Sequence, residues 1–147
     1  DYLLCVFTWI NSWGDTLSDM EEFIHDMERK MSAKSFEYFF TQILGFDFSN
    51  HHKSWDEGLE EHRYYCAKAS RDHVKSVFFM SYALWIAAFQ PGTHVMIFSH
   101  SLEQTLEHMR FIRNNIEGTP CLTHLIPAGR PLRKTYFWFN NGSRMMA

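Results

Sequence analysis

Ala69-Ser70-Arg71-Asp72-His73-Val74-Lys75-Ser76 is the stretch on which the reading of the fold turns. It has the length and ending of the phosphate-binding loop G-x-x-x-x-G-K-[ST]. In such a loop, backbone N–H groups curl around phosphates, a lysine meets the β and γ oxygens and a hydroxyl meets Mg2+. The loop then opens into a helix whose N-terminal dipole favours anions. Lys75 and Ser76 stand where those roles require them. Both glycines are replaced, the first by Ala69 and the second by Val74, so the pattern is not satisfied literally. The flanks supply context: a β-prone run, His62 to Ala69, enters the loop and an apolar run, Lys75 to Phe89, leaves it. The loop Ser70 to Val74 is therefore expected to join a central parallel strand to a buried helix, with Lys75 at that helix's N-terminus. The competing reading is that Lys75-Ser76 is an ordinary helix start.

Downstream, the apolar run stops at Pro91-Gly92, and His94 to Ser99 reads as a buried strand. Ser101 and Gln104 then open a helix whose inner stripe is Leu102, Leu106, Met109, Ile112 and Ile116, closed by Gly118. Thr135 to Phe139 and Arg144 to Ala147 flank an Asn140-Asn141-Gly142-Ser143 turn and read as a hairpin. Upstream, Ser18 and Glu21 make a capping box for a helix over about 19 to 32, with Met20, Phe23, Ile24, Met27 and Met31 as its core face. Phe36, Phe39, Phe40, Ile43 and Leu44 line a second helix that Gly45 ends in the left-handed conformation, and a third follows Ser49. The order gives an α/β domain with a helical lead-in. It divides into an unplaced segment 1–15, a helical lead-in 16–61 and a core 62–147. Starting at Asp1 and stopping just after a turn signal, the chain reads as a piece of a longer protein, an incomplete domain.

With 147 residues, 46% of them hydrophobic and 21% charged, the composition suits one globular unit, and the 17% aromatic share argues against disorder. The net charge of −3 gives no overall basic field. Cys5, Cys66 and Cys121 are too far apart for a Cys-x-x-Cys site, and a reducing cytoplasm suits them. The apolar run Tyr2 to Ile10 is about half the length that spans a bilayer, so no membrane segment is expected. Of the nine histidines, His51 and His52 adjoin and so face different ways on a helix, and His94, His100 and His108 sit on separate elements, which does not suggest a zinc site.

Ser70-Arg71-Asp72-His73-Val74-Lys75-Ser76-Val77-Phe78-Phe79 resembles the S/P-R-x-x-G-K-S/T loop of phage large terminases. Tyr82-Ala83-Leu84-Trp85 also fits. Phe89 to Ser99 looks like that family's second strand, and Phe139-Asn140-Asn141-Gly142-Ser143-Arg144 like its Asn-Gly-Ser hairpin. Phe36 to Gly45 and His51-His52-Lys53-Ser54-Trp55 resemble its lead-in, so the resemblance covers about 36 to 147 and lies in order and spacing rather than in any one motif. It implies a P-loop NTPase of the additional-strand type, with a parallel central sheet flanked by helices. It also implies an ATPase coupling ATP hydrolysis to translocation of duplex DNA into a procapsid, with ATP and Mg2+ as ligands. Duplex DNA, the portal, the small terminase subunit and a homo-oligomeric ring are the implied partners, and the host bacterial cytoplasm is the implied location. The catalytic carboxylates and a nuclease domain would lie beyond Ala147.

Carried over residue by residue, the resemblance makes Lys75 the group that neutralises the β and γ phosphates, Ser76 the Mg2+ ligand and Arg71 a γ-phosphate sensor. Ala69, Ser70, Asp72, His73 and Val74 would line the nucleotide, with Asp72 turned away from the phosphates and His73 on the loop surface. Trp55 could contact adenine or could be a core aromatic. Val74 departs most from the family, because glycine allows close backbone approach and positive φ, and a β-branched residue is poor at both. Asp56, Glu57, Glu60 and Glu61 are expected to be solvated surface charge. A superfamily 2 helicase-like ATPase and a catalytically inactive scaffold are the alternatives.

Overall fold

The computed structural model describes residues 2–70 and 74–147, with side chains from residue 18 onward. Helix α1 runs Tyr2–Lys34, α2 is the short turn Phe36–Tyr38, and a π-helical turn continues it over Phe39–Ile43. α3 is Asn50–Glu61, α4 is Lys75–Phe89 and α5 is Leu102–Gly118, followed by a 3-10 turn over Pro120–Leu125. The strands are short: β1 His94–Met96, β2 Tyr136–Trp138 and β3 Arg144–Met146.

The expected parallel central sheet flanked by helices does not form. The chain is 59% helical, and its sheet has the order β1-β3-β2, with β1 parallel and β2 antiparallel to β3. Residues 62–69, expected as the first strand, take no regular structure. A strand holds only when its N–H and C=O groups find a ladder partner, and this run pairs with none of β1 to β3. Tyr64 stands 84% exposed, and although the alternate residues Tyr65, Ala67 and Ala69 pack partly buried against the core, no strand among the described residues lies beside the run to complete a ladder. The chain is instead an assembly of helices on a small mixed sheet, not the P-loop architecture that the resemblance implied.

Other elements follow the sequence more closely. Gly45 takes φ +74 at the end of the second helical stretch, and Ser101 Oγ accepts the Gln104 N–H at 3.3 Å to start α5. Met109, Ile112 and Ile116 are fully buried, while Leu102, in the first turn, is 67% exposed. Helix α4 is apolar on all sides because it is covered on several, with Phe78, Ser81, Leu84, Ala87 and Ala88 buried. Phe36, Phe40 and Phe48 pack against Phe78, which joins the lead-in to α4 in one core.

The Asn-Gly-Ser turn fixes the far end of α4. Asn141 Nδ2 donates to the carbonyls of Ala87 and Ala88 at 2.8 and 3.0 Å, satisfying C-terminal acceptors that the helix cannot pair itself. Ser143 Oγ accepts the Thr93 N–H and donates to the Gln90 carbonyl, tying the turn to the start of β1. Gly142 supplies the positive φ, +82, that the turn needs.

Helix α1 departs from expectation. It runs through the Ser18–Glu21 capping box instead of starting there. Its Met20, Phe23, Ile24, Met27 and Met31 face is exposed rather than core, with Phe23 at 61%. The face turned toward the body carries His25, Glu28, Arg29 and Ser32. Ser32 is completely buried, and its carbonyl accepts the Trp85 indole N–H at 2.6 Å.

Candidate functional site at the start of α4

Val74 precedes α4 in the left-handed region, at φ 50 and ψ 26, the one non-glycine residue with positive φ among the described residues. A β-branched residue reaches that region only at a cost, roughly 1–2 kcal/mol. The sequence therefore places valine where the backbone takes the conformation that glycine adopts freely. Lys75 is the first residue of α4 and Ser76 the second. The first N–H groups of a helix have no intrahelical acceptor, and Val74 offers no side-chain cap to them. The Val74 carbonyl accepts the Phe78 N–H at 3.0 Å, so the helix is regular from its first turn.

A hollow of about 350 Å3 opens at this end, lined by Ala69, Ser70, Val74, Lys75, Ser76, Val77 and Gln104. Five of the expected ligand-lining residues thus meet in one place although the strand expected before them is absent. Gln104 was not anticipated. Its place as third residue of α5 gave it a capping role in the sequence, and only the packing of α4 against α5 brings it here. Gln104 Oε1 lies 2.6 Å from His100 Nδ1. Lys75 is half-buried, Ser76 and Val74 are exposed, and Lys75 forms no ion pair among the described residues. Arg71, Asp72 and His73 lie outside the described residues.

Trp55 does not line this hollow. It is 7% exposed and packs ring to ring on His51, Phe78 and Phe79, where its indole serves the core. Its neighbour Asp56 is not the solvated surface charge expected. It is half-buried, one carboxylate oxygen has no hydrogen-bond partner, and burial, with Glu60, Glu37 and Glu57 nearby, pushes its carboxyl up to about 6. Burial, with Asp56 beside it, also raises the Tyr82 phenol.

Comparison with protein-family models, with curated proteins and with solved structures finds no match. No helix among the described residues is long and apolar enough to cross a membrane.

Proposed function

We propose that the hollow at the N-terminus of α4 takes the phosphates of ATP with Mg2+. We further propose that the chain is the ATP-binding part of a DNA-packaging motor of the large-terminase kind. The observation that carries the first half is the left-handed Val74 immediately before Lys75 and Ser76. From Val74 the chain enters α4, whose first N–H groups have no intrahelical acceptor and whose dipole favours an anion at the end where the hollow opens. Lys75 supplies a mobile cation for the β and γ oxygens, and Ser76 a hydroxyl for the metal. Phosphoryl transfer is catalysed mainly by positioning and charge, and Arg71 is the further cation of the loop. The second half rests on the resemblance in order and spacing over residues 36 to 147. In the full-length protein, duplex DNA, the portal, the small subunit and other motor subunits would be the partners.

The missing strand before the loop and the absence of both loop glycines favour a second reading, a scaffold that keeps the helix end without nucleotide. Isothermal titration separates the two. The parent chain is expected to bind Mg-ATP and Lys75→Ala to bind it at least tenfold more weakly. No binding by the parent at millimolar nucleotide, or equal binding by both, leaves the scaffold.

A further inference from the structure

The last acidic residue of the sequence is Glu117. Residues 118–147 carry Arg130, Arg133, Lys134 and Arg144 and no carboxylate side chain, in a chain whose net charge is −3. The fold gathers these cations around strand β2. Tyr136 and Trp138, two residues apart on β2, project from the same face of the sheet. The Arg144 guanidinium lies 4.0 Å from the Trp138 ring centroid and the Arg133 guanidinium 5.2 Å from that of Tyr136. From α5, Arg113 donates to the Arg133 carbonyl at 2.8 Å and ties the loop before β2 to that helix. None of these cations forms an ion pair among the described residues. Arg144 Nε is buried without a hydrogen-bond partner, which leaves a charged donor in want of an acceptor. Two hollows, of about 400 and 430 Å3, adjoin here, and both are lined by Tyr136 and Trp138. Arg144 borders the first, and Arg130 and Arg133 the second.

We propose that this surface binds single-stranded nucleic acid, with bases stacked on Tyr136 and Trp138 and the arginines on the phosphates between them. Rings backed by guanidinium groups and flanked by unpaired cations are the chemistry that takes up an unstacked, anionic polymer. A duplex hides its base faces and would leave both hollows unused. An acidic peptide could add to β2, which is an edge strand, but the ladder there is only three residues long and gives little for a peptide backbone to pair with. Charges that only blunt an edge need no stacked rings. The site is separate from the phosphate hollow of α4 and does not depend on it.

The test is fluorescence anisotropy of a labelled oligothymidylate of about fifteen nucleotides, titrated with the whole chain at low salt. Binding is expected, weakening with salt at a log–log slope of about −2, as for about three phosphate contacts on a single strand. Arg130→Ala with Arg133→Ala, both at exposed positions, is expected to weaken binding at least tenfold and to flatten that slope. Trp138→Leu is expected to weaken binding about tenfold while leaving the slope unchanged, which separates stacking from charge. Circular dichroism establishes that each variant is folded. Failure of the parent to bind overturns the proposal, and so does unchanged binding by the double arginine variant. Competition by a duplex of the same length or by oligoglutamate as effective as that by oligothymidylate overturns it as well.

Discussion

At the scale of the residue, two side chains sit against the preference of their surroundings, and each gives a prediction. Val74 holds φ 50. Val74→Gly should relieve strain of roughly 1–2 kcal/mol, partly offset by glycine's greater freedom in the unfolded chain. The net expectation is a Tm higher by about 2–4 °C together with tighter Mg-ATP binding, because the branched side chain leaves the closest approach of backbone to phosphate. A lower Tm in a thermal melt, or weaker binding by titration, would count against the left-handed reading of the loop. Asp56 gives a pH dependence. Its folded value, about 6, lies above the ordinary 3.8, so its contribution to stability is fully present below pH 4 and is lost as pH rises through 6. Asp56→Asn should therefore stabilise at pH 7 by about 1 kcal/mol, allowing for solvent screening of a half-exposed group, and have little effect at pH 4. Melts at the two pH values check this. Equal shifts at both would show that something other than the charge is responsible. The departure at Val74 was visible in the sequence as a valine where a glycine belongs. The burial of Asp56 was not, because a cluster of acidic residues looks the same whether its helix shows that face to water or to a core.

At the scale of the element, hydrophobic periodicity found the helices and misjudged which face of α1 is covered. The spacing of Met20, Phe23, Ile24, Met27 and Met31 identifies an amphipathic helix, but a period fixes only that one face is apolar, not what lies over it. In the fold the covered residues are His25, Glu28, Arg29 and Ser32, because the helix is held through the Ser32 carbonyl and the Trp85 indole. Phe23→Ser should thus cost less than about 0.5 kcal/mol in urea unfolding, as for other exposed positions. Ile112→Ala, at a fully buried site in α5, should cost about 2–5 kcal/mol. Comparable losses from the two would place the α1 stripe inside. The run 62–69 failed for a complementary reason: β-propensity is local, while a strand needs a neighbour, and none was legible nearby. What holds this run instead is the packing of Tyr65, Ala67 and Ala69 against the core, with the Tyr65 ring lying where a Cβ on Gly58 would stand. Gly58→Ala should displace that ring and speed proteolytic cleavage within 62–70, leaving α3 helical. An unchanged cleavage rate would mean that Tyr65 does not anchor the segment.

At the scale of the whole molecule, charge and sheet are arranged in a way that bears on turnover. Hydrolysis of a bound nucleotide requires a carboxylate to orient the attacking water and another to hold the metal through its water shell, set close to the phosphate hollow by a rigid element. The three strands here lead into Ile97, Phe139 and Ala147, none of them acidic. Acidic residues among the described side chains lie on or near the helices, from Asp19 on α1 to Glu117 on α5, and none lines the hollow at α4. Those nearest in sequence to the loop, Glu60 and Glu61, end α3 on the far side of the irregular run 62–70. If the proposed nucleotide binds at the start of α4, a chain so built does not complete the site that breaks it down. The expected outcome is that steady-state phosphate release by the 147-residue chain with Mg-ATP equals that of Lys75→Ala, even where titration shows that the parent binds and the variant does not. Release that depends on Lys75 would mean that a carboxylate reaches the phosphates from these residues, with Asp72 the first to substitute because it is the acidic member of the loop itself.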